Sequence, residues 1–85
     1  MQPSDYRILL VDDEEGIRFT LGCILQREGF QVEVAADHNE AVTLLGAGPY
    51  DLAFVDIMLA GEDGIDLLRD IKKICPGTQV VMFTG

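Results

Sequence analysis

Four short apolar runs, 7–11, 31–35, 52–56 and 79–85, are separated by longer stretches whose apolar residues recur at helical spacing, and no two runs are joined by a hairpin turn. Strands connected in this way need crossovers, so the pattern predicts a parallel sheet with helices packed on it. The first and third runs, Arg7-Ile-Leu-Leu-Val11 and Leu52-Ala-Phe-Val-Asp56, are nearly continuous in apolar residues, as strands covered on both faces require. Gln31-Val-Glu-Val-Ala35 alternates with period two and is expected at an edge of the sheet. The last run, ending at Gly85, reads as a fourth buried strand.

Between the strands, Ile17, Leu21, Ile24 and Leu25 form the apolar face of a first helix over about 15–28, with Gly29 placed to end it. Asp37 with Glu40 three residues on makes a capping-box signature for a second helix, whose face is Ala41, Leu44 and Leu45 and which Gly46-Ala-Gly-Pro-Tyr50 breaks. A third helix over 64–74 is expected to carry Ile65, Leu68 and Ile71 inward and Arg69, Asp70, Lys72 and Lys73 outward, with Pro76-Gly77 as its stop. The loop 57–63 before it contains Gly61, and Gly64 follows. The fold class is thus α/β, an open parallel sheet of four strands and three helices. A chain of 85 residues has room for one small domain.

A formal net charge of −9 repels phosphate backbones and anionic membrane surfaces, which argues against direct nucleic-acid or membrane binding by this segment. No stretch approaches the roughly 20 apolar residues of a membrane span, and a cytoplasmic protein is expected. Cys23 and Cys75 are too far apart for a CxxC pair, and His38 is the single histidine, so no Cys/His zinc set exists; both cysteines read as reduced structural residues. His38, on the first turn of the second helix, reads as solvent-facing. Met58, Met82 and the phenylalanines read as packing residues.

Two of the apolar runs end in acid: Asp12 and Asp13 follow the first, and Asp56 closes the third. In an open parallel sheet the ligand site lies beyond the carboxyl ends of the strands, where the strand order reverses. If the first and third strands are neighbours, three carboxylates meet there, with Glu14 close by. Such a cluster repels itself unless a cation neutralises it, and an all-oxygen donor set favours Mg²⁺. A carboxylate at such a site can attack phosphorus and form an acyl phosphate. The competing reading is that these acids only cap the following helices and face water.

The segments Ile8-Leu-Leu-Val-Asp-Asp-Glu-Glu15, Tyr50-Asp-Leu-Ala-Phe-Val-Asp-Ile-Met58, Gly61-Glu-Asp-Gly64 and Val80-Val-Met-Phe-Thr-Gly85 together resemble the receiver domain of bacterial two-component response regulators. The resemblance spans the whole chain. It implies a flavodoxin-like fold, phosphotransfer from a sensor histidine kinase onto Asp56, Mg²⁺ bound by Asp13 directly and by Asp12 through water, and a ligand from the backbone carbonyl of Met58. It makes Thr84 the switch hydroxyl and Gly64 a support of the loop turn. A transcription regulator carrying this receiver at its N-terminus is the implied parent.

Receivers continue through a fourth helix, a fifth strand with a terminal phosphoryl-binding Lys, and a fifth helix, whereas this sequence stops at Gly85. Lys72 and Lys73 lie on the expected outer face of the third helix and do not take that Lys's place. Read as truncated, the chain is expected to have the acidic pocket with an incomplete phosphorylation and output apparatus. The flat apolar edge Val80-Val-Met-Phe83 would then favour a homodimer or larger assembly. The alternative function is accordingly a phosphorylation-incompetent module that only self-associates or binds other proteins. An aspartyl phosphohydrolase would need a second Asp two residues after the nucleophile, and position 58 is Met.

Overall fold

The computed structural model describes residues 2–59 and 62–83, with Pro3, Glu62 and Asp63 in backbone alone. After a 3-10 turn at Pro3–Asp5, the chain forms β1 (Arg7–Val11), α1 (Glu15–Arg27), β2 (Gln31–Ala35), α2 (His38–Gly46), β3 (Leu52–Asp56), β4 (Met58–Leu59), β5 (Glu62–Asp63), α3 (Gly64–Ile74) and β6 (Gln79–Phe83). The main sheet has the order β2-β1-β3-β6, parallel throughout. Its order reverses between β1 and β3, which places the two acid-ended strands side by side.

The helix ends follow from local chemistry. Gly29 takes φ 95°, Gly29 N–H donates to the Gln26 carbonyl and Phe30 N–H to that of Leu25, the pair of bonds that closes a Schellman end on α1. At α2 the Asp37 carboxylate accepts from Glu40 N–H at 2.8 Å, and the Glu40 carboxylate reaches back to Ala36 N–H at 3.2 Å. The capping-box expectation is met, with the return bond one residue further out.

Leu9, Val11, Ala53 and Val55 from the two central strands pack with Ala41 and Leu45 of α2, Leu67 and Ile71 of α3, Tyr50 and Leu59. Ile8 and Leu10 are also buried, so β1 is covered on both sides, as its unbroken apolar run requires. At the opposite end of the sheet from the acids, the Arg7 guanidinium lies 4.7 Å above the Tyr50 ring and donates to Glu33 at 2.7 Å, while the Tyr50 hydroxyl donates to the same carboxylate at 2.9 Å. Buried Thr78 donates to the Tyr50 carbonyl at 2.6 Å. These contacts tie β1 and β2 to the segments that lead into β3 and β6.

Several expectations are corrected. On α3 the buried residues are Gly64, Leu67 and Ile71, and Ile65 is exposed. The cause is Gly64: a Cβ there would stand 2.5 Å from the Asp56 carbonyl oxygen, so this glycine must face the end of β3. Residues three and seven positions on share that face, and Ile65 is turned about 100° away. On α1, Gly22 is buried while Ile24 and Phe19 are exposed, because the helix leans over β2 with Gly22 toward Val34. β6 is half-exposed rather than buried, since it pairs only with β3 among the described residues. The 57–63 segment, expected as a loop, contains the short antiparallel β4–β5 pair, pinned by buried Leu59.

His38 is not simply solvent-facing. Its Nε2 lies 2.6 Å from Asp70 Oδ2, joining α2 to α3 where the helices pack side by side. Lys72 Nζ donates to the Thr78 carbonyl at 3.1 Å, and Met58 and Phe19 are exposed rather than packed. Cys23 and Cys75 are both free thiols.

Candidate functional site

Each acid reaches the site because its strand ends there. Val11 is the last residue of the β1 ladder, and Asp12 follows it; its N–H donates to the Ala35 carbonyl at 3.1 Å, carrying the pairing with β2 one step further. Asp56 is the last residue of β3, opposite Phe83. The next peptide continues toward β6, with Ile57 N–H donating to the Phe83 carbonyl at 2.8 Å. The chain then turns over Gly64, whose N–H donates to the Ile57 carbonyl at 2.9 Å. No side chain fits at position 64, so the loop after Asp56 closes directly onto the start of α3.

One carboxylate oxygen from each of Asp12, Asp13 and Asp56 lies within 4.8 Å of the others. Asp12 is fully buried, Asp56 is 6% exposed and Asp13 faces solvent. Asp12 Oδ1 accepts from Glu14 N–H at 2.8 Å, and Asp56 Oδ1 accepts from Met58 N–H at 3.0 Å. Asp12 Oδ2 is buried with no hydrogen-bond partner among the described residues. Burial pushes the Asp12 carboxyl above the usual carboxylate range; the bond from Glu14 N–H opposes this, the charges of Asp56 and Asp13 add to it, and Arg18 opposes it. Arg18 Nη1 donates to the Asp12 carbonyl at 2.6 Å.

The sequence-derived set Asp12, Asp13 and Asp56 is thus brought together, and Met58 reaches the site through its backbone N–H. Glu14 joins only through its N–H; its side chain makes no capping bond. Thr84 and Gly61 lie outside the described residues. Arg18 went unnoticed in the sequence, where nothing distinguishes it from any helix-surface arginine.

A buried carboxylate with one oxygen lacking a donor among the described residues, grouped with two further carboxylates, lacks a positive partner. The donor set is all oxygen, partly solvent-accessible and held on rigid strand ends. It fits a hard divalent cation that keeps some of its water.

Residues 8–85 match the family described as the response regulator receiver domain. The chain is 39% identical over 84 residues to the alginate biosynthesis transcriptional regulatory protein AlgB of Pseudomonas putida, covering 99% of this chain and 19% of AlgB. Among solved structures, a response regulator from Burkholderia pseudomallei, with a phosphorylated aspartic acid and a calcium ion, superposes with a TM-score of 0.91 at 31% identity, over 95% of this chain and 48% of that one. TrrA from Thermotoga maritima, in complex with Mg²⁺ and BeF, does so with a TM-score of 0.85 at 35% identity, over 93% of this chain and 69% of that one. TrrA has also been solved in complex with the histidine kinase ThkA. The chain spans less than half the length of AlgB and of the Burkholderia protein.

Proposed function

The chain belongs to the response regulator receiver domain family, and from that premise we propose that it takes a phosphoryl group from the phosphohistidine of a sensor kinase onto Asp56. The observation that carries this reading is the buried Asp12 carboxylate, whose Oδ2 has no donor among the described residues and which brings one oxygen within 4.8 Å of one from each of Asp13 and Asp56. Asp12, Asp13, Asp56 and the Met58 carbonyl would hold Mg²⁺, which when bound supplies the charge that offsets the carboxylates and the incoming phosphoryl oxygens. The phosphorylated aspartate of the Burkholderia protein and the Mg²⁺ and BeF of TrrA support this choice.

The Met58 N–H fixes Asp56 Oδ1 and so orients the carboxylate, leaving Oδ2 as the attacking atom. An Oδ2 lone pair forms the new O–P bond as the P–N bond to the kinase imidazole breaks. The electron pair of that bond stays on the ring nitrogen, which takes a proton. Thr84, next after β6, would turn its hydroxyl toward the phosphoryl group. The segment is a signalling domain, read here as the receiver part of a longer cytoplasmic transcription regulator. AlgB, itself a transcriptional regulatory protein, supports that parentage, and no described helix is long and apolar enough to cross a membrane.

Intact-mass spectrometry after incubation with acetyl phosphate tests the proposal. A phosphoryl adduct is expected with Mg²⁺, absent with EDTA and absent in Asp56→Asn; no adduct in any condition would refute it. A second reading, self-association, rests on the outer edge of β6, where Val81 is 41% exposed. Light scattering that gives the mass of one chain across micromolar concentrations would refute that one.

A further inference from the structure

Asp12 has four polar atoms, and three of them are tied: N–H to the Ala35 carbonyl at 3.1 Å, Oδ1 by Glu14 N–H at 2.8 Å, and the carbonyl oxygen by Arg18 Nη1 at 2.6 Å. Only Oδ2 is left without a partner among the described residues, and the carboxylate it belongs to places one oxygen within 4.8 Å of one from each of Asp13 and Asp56. No backbone N–H among the described residues donates to the Asp12 carbonyl, so Arg18 is what fixes this peptide at the end of β1. Arg18 is itself half-buried and anchored in the first turn of α1, its N–H donating to the Glu14 carbonyl at 3.1 Å. One residue therefore braces both ends of the short turn from which Asp12 reaches the site.

We infer that Arg18 is a positioning residue for cation binding, acting through the Asp12 peptide. The inference rests on the Mg²⁺ site proposed above. Arg18 does not reach the reacting atoms itself. It lines the groove between α1 and β2 with Phe19, Gly22 and Val34, and β2 lies on the opposite side of β1 from the strand that carries Asp56.

The test exploits two effects of opposite sign. Removing a cation beside three carboxylates leaves the site more negative, so charge alone would tighten Mg²⁺ binding in Arg18→Met. Loss of the brace frees the Asp12 peptide and weakens binding. Groups that orient metal-binding side chains typically contribute 10–100-fold to affinity, and about tenfold weaker binding is expected in Arg18→Met. Arg18→Lys, which keeps the charge and a donor, should recover most of it.

Titration calorimetry with Mg²⁺ on the chain and both variants gives the readout, with circular dichroism to confirm the fold and metal-free melting to register any purely structural effect. Mg²⁺ affinity in Arg18→Met equal to or tighter than that of the parent chain overturns the inference, whatever its melting temperature. Should Arg18→Met not fold, Arg18→Gln carries the same test with the same sign. A parent chain that binds no Mg²⁺ overturns the cation site and this inference with it, whereas a binding parent with an unaffected variant overturns this inference alone.

Discussion

Asp56→Asn should raise the metal-free stability of the domain, although it removes the proposed phosphoacceptor. The carboxylate oxygens of Asp12, Asp13 and Asp56 lie within 4.8 Å of one another. At that separation two charges repel by about 3.5 kcal/mol at an effective dielectric of 20 and by about 0.9 kcal/mol in water. Asp12 is fully buried and Asp56 nearly so, which puts their pair toward the first figure, while exposed Asp13 belongs near the second. Asparagine keeps the shape and the acceptor for Met58 N–H, so the substitution removes charge with little change in packing. A net gain of about 1–3 kcal/mol is expected once relaxation is allowed for. At roughly 4–8 °C per kcal/mol for a domain of this size, the melting temperature in EDTA should rise by about 5–20 °C.

The gain should depend on pH. Burial holds the Asp12 carboxyl above its ordinary range in the folded chain, so the folded state binds the proton more tightly than the unfolded one. Parent stability therefore falls as pH rises from the ordinary carboxylate range, about 3.9, through the raised Asp12 value. The difference between parent and variant should vanish below that window and be complete above it. Mg²⁺ should reverse the order, since binding to the folded parent adds about 4.1 kcal/mol at a roughly thousandfold excess over Kd and the variant offers one carboxylate fewer. Thermal unfolding by circular dichroism over pH, with EDTA and with Mg²⁺, measures all of this. An Asp56→Asn chain that melts at or below the parent in EDTA at neutral pH would refute the reasoning.

Gly64→Ala should lose about 1–3 kcal/mol in urea unfolding, because its Cβ would meet the backbone of Asp56 and Ile57 at 2.5–3.0 Å. Gly46→Ala, with open space around the new methyl group, should instead gain up to about 1 kcal/mol. Tyr50→Phe removes the hydroxyl bond to Glu33 and should cost about 1 kcal/mol in the same assay. Burial and the Glu33 bond push the Tyr50 phenol up to about 12. In a Tyr6→Phe background the tyrosinate absorbance should thus appear only near that pH, with stability falling from about pH 10 upward. A titration midpoint at the ordinary phenol value would contradict the network.

The main strands were legible because burial on both faces leaves an unmistakable run, as in Arg7–Val11, and because an edge strand alternates, as in Gln31–Ala35. Caps were legible for the same local reason: Asp37 and Gly29 act within a few residues of themselves. The acidic cluster could be read because strand ends in a parallel sheet converge, and the β1–β3 pairing brings it about. What could not be read depends on contacts between distant segments. The azimuth of α3 is set by Gly64 meeting the Asp56 backbone, which no periodicity within 64–74 encodes. Likewise His38 finds Asp70, and Arg7 finds Glu33 and Tyr50, only once the layers are stacked. Arg18 acts on a backbone carbonyl, which leaves no mark in the pattern of side chains.

The central claim is that the carboxylate cluster delivers a phosphoryl group to one particular residue, and site mapping tests it most directly. The chain is treated with acetyl phosphate and Mg²⁺, the acyl phosphate is reduced with borohydride, and the peptides are sequenced by mass spectrometry. The expected result is homoserine at position 56 and at no other aspartate, dependent on Mg²⁺. Homoserine at Asp12 or Asp13, or at none of the three, would contradict the account.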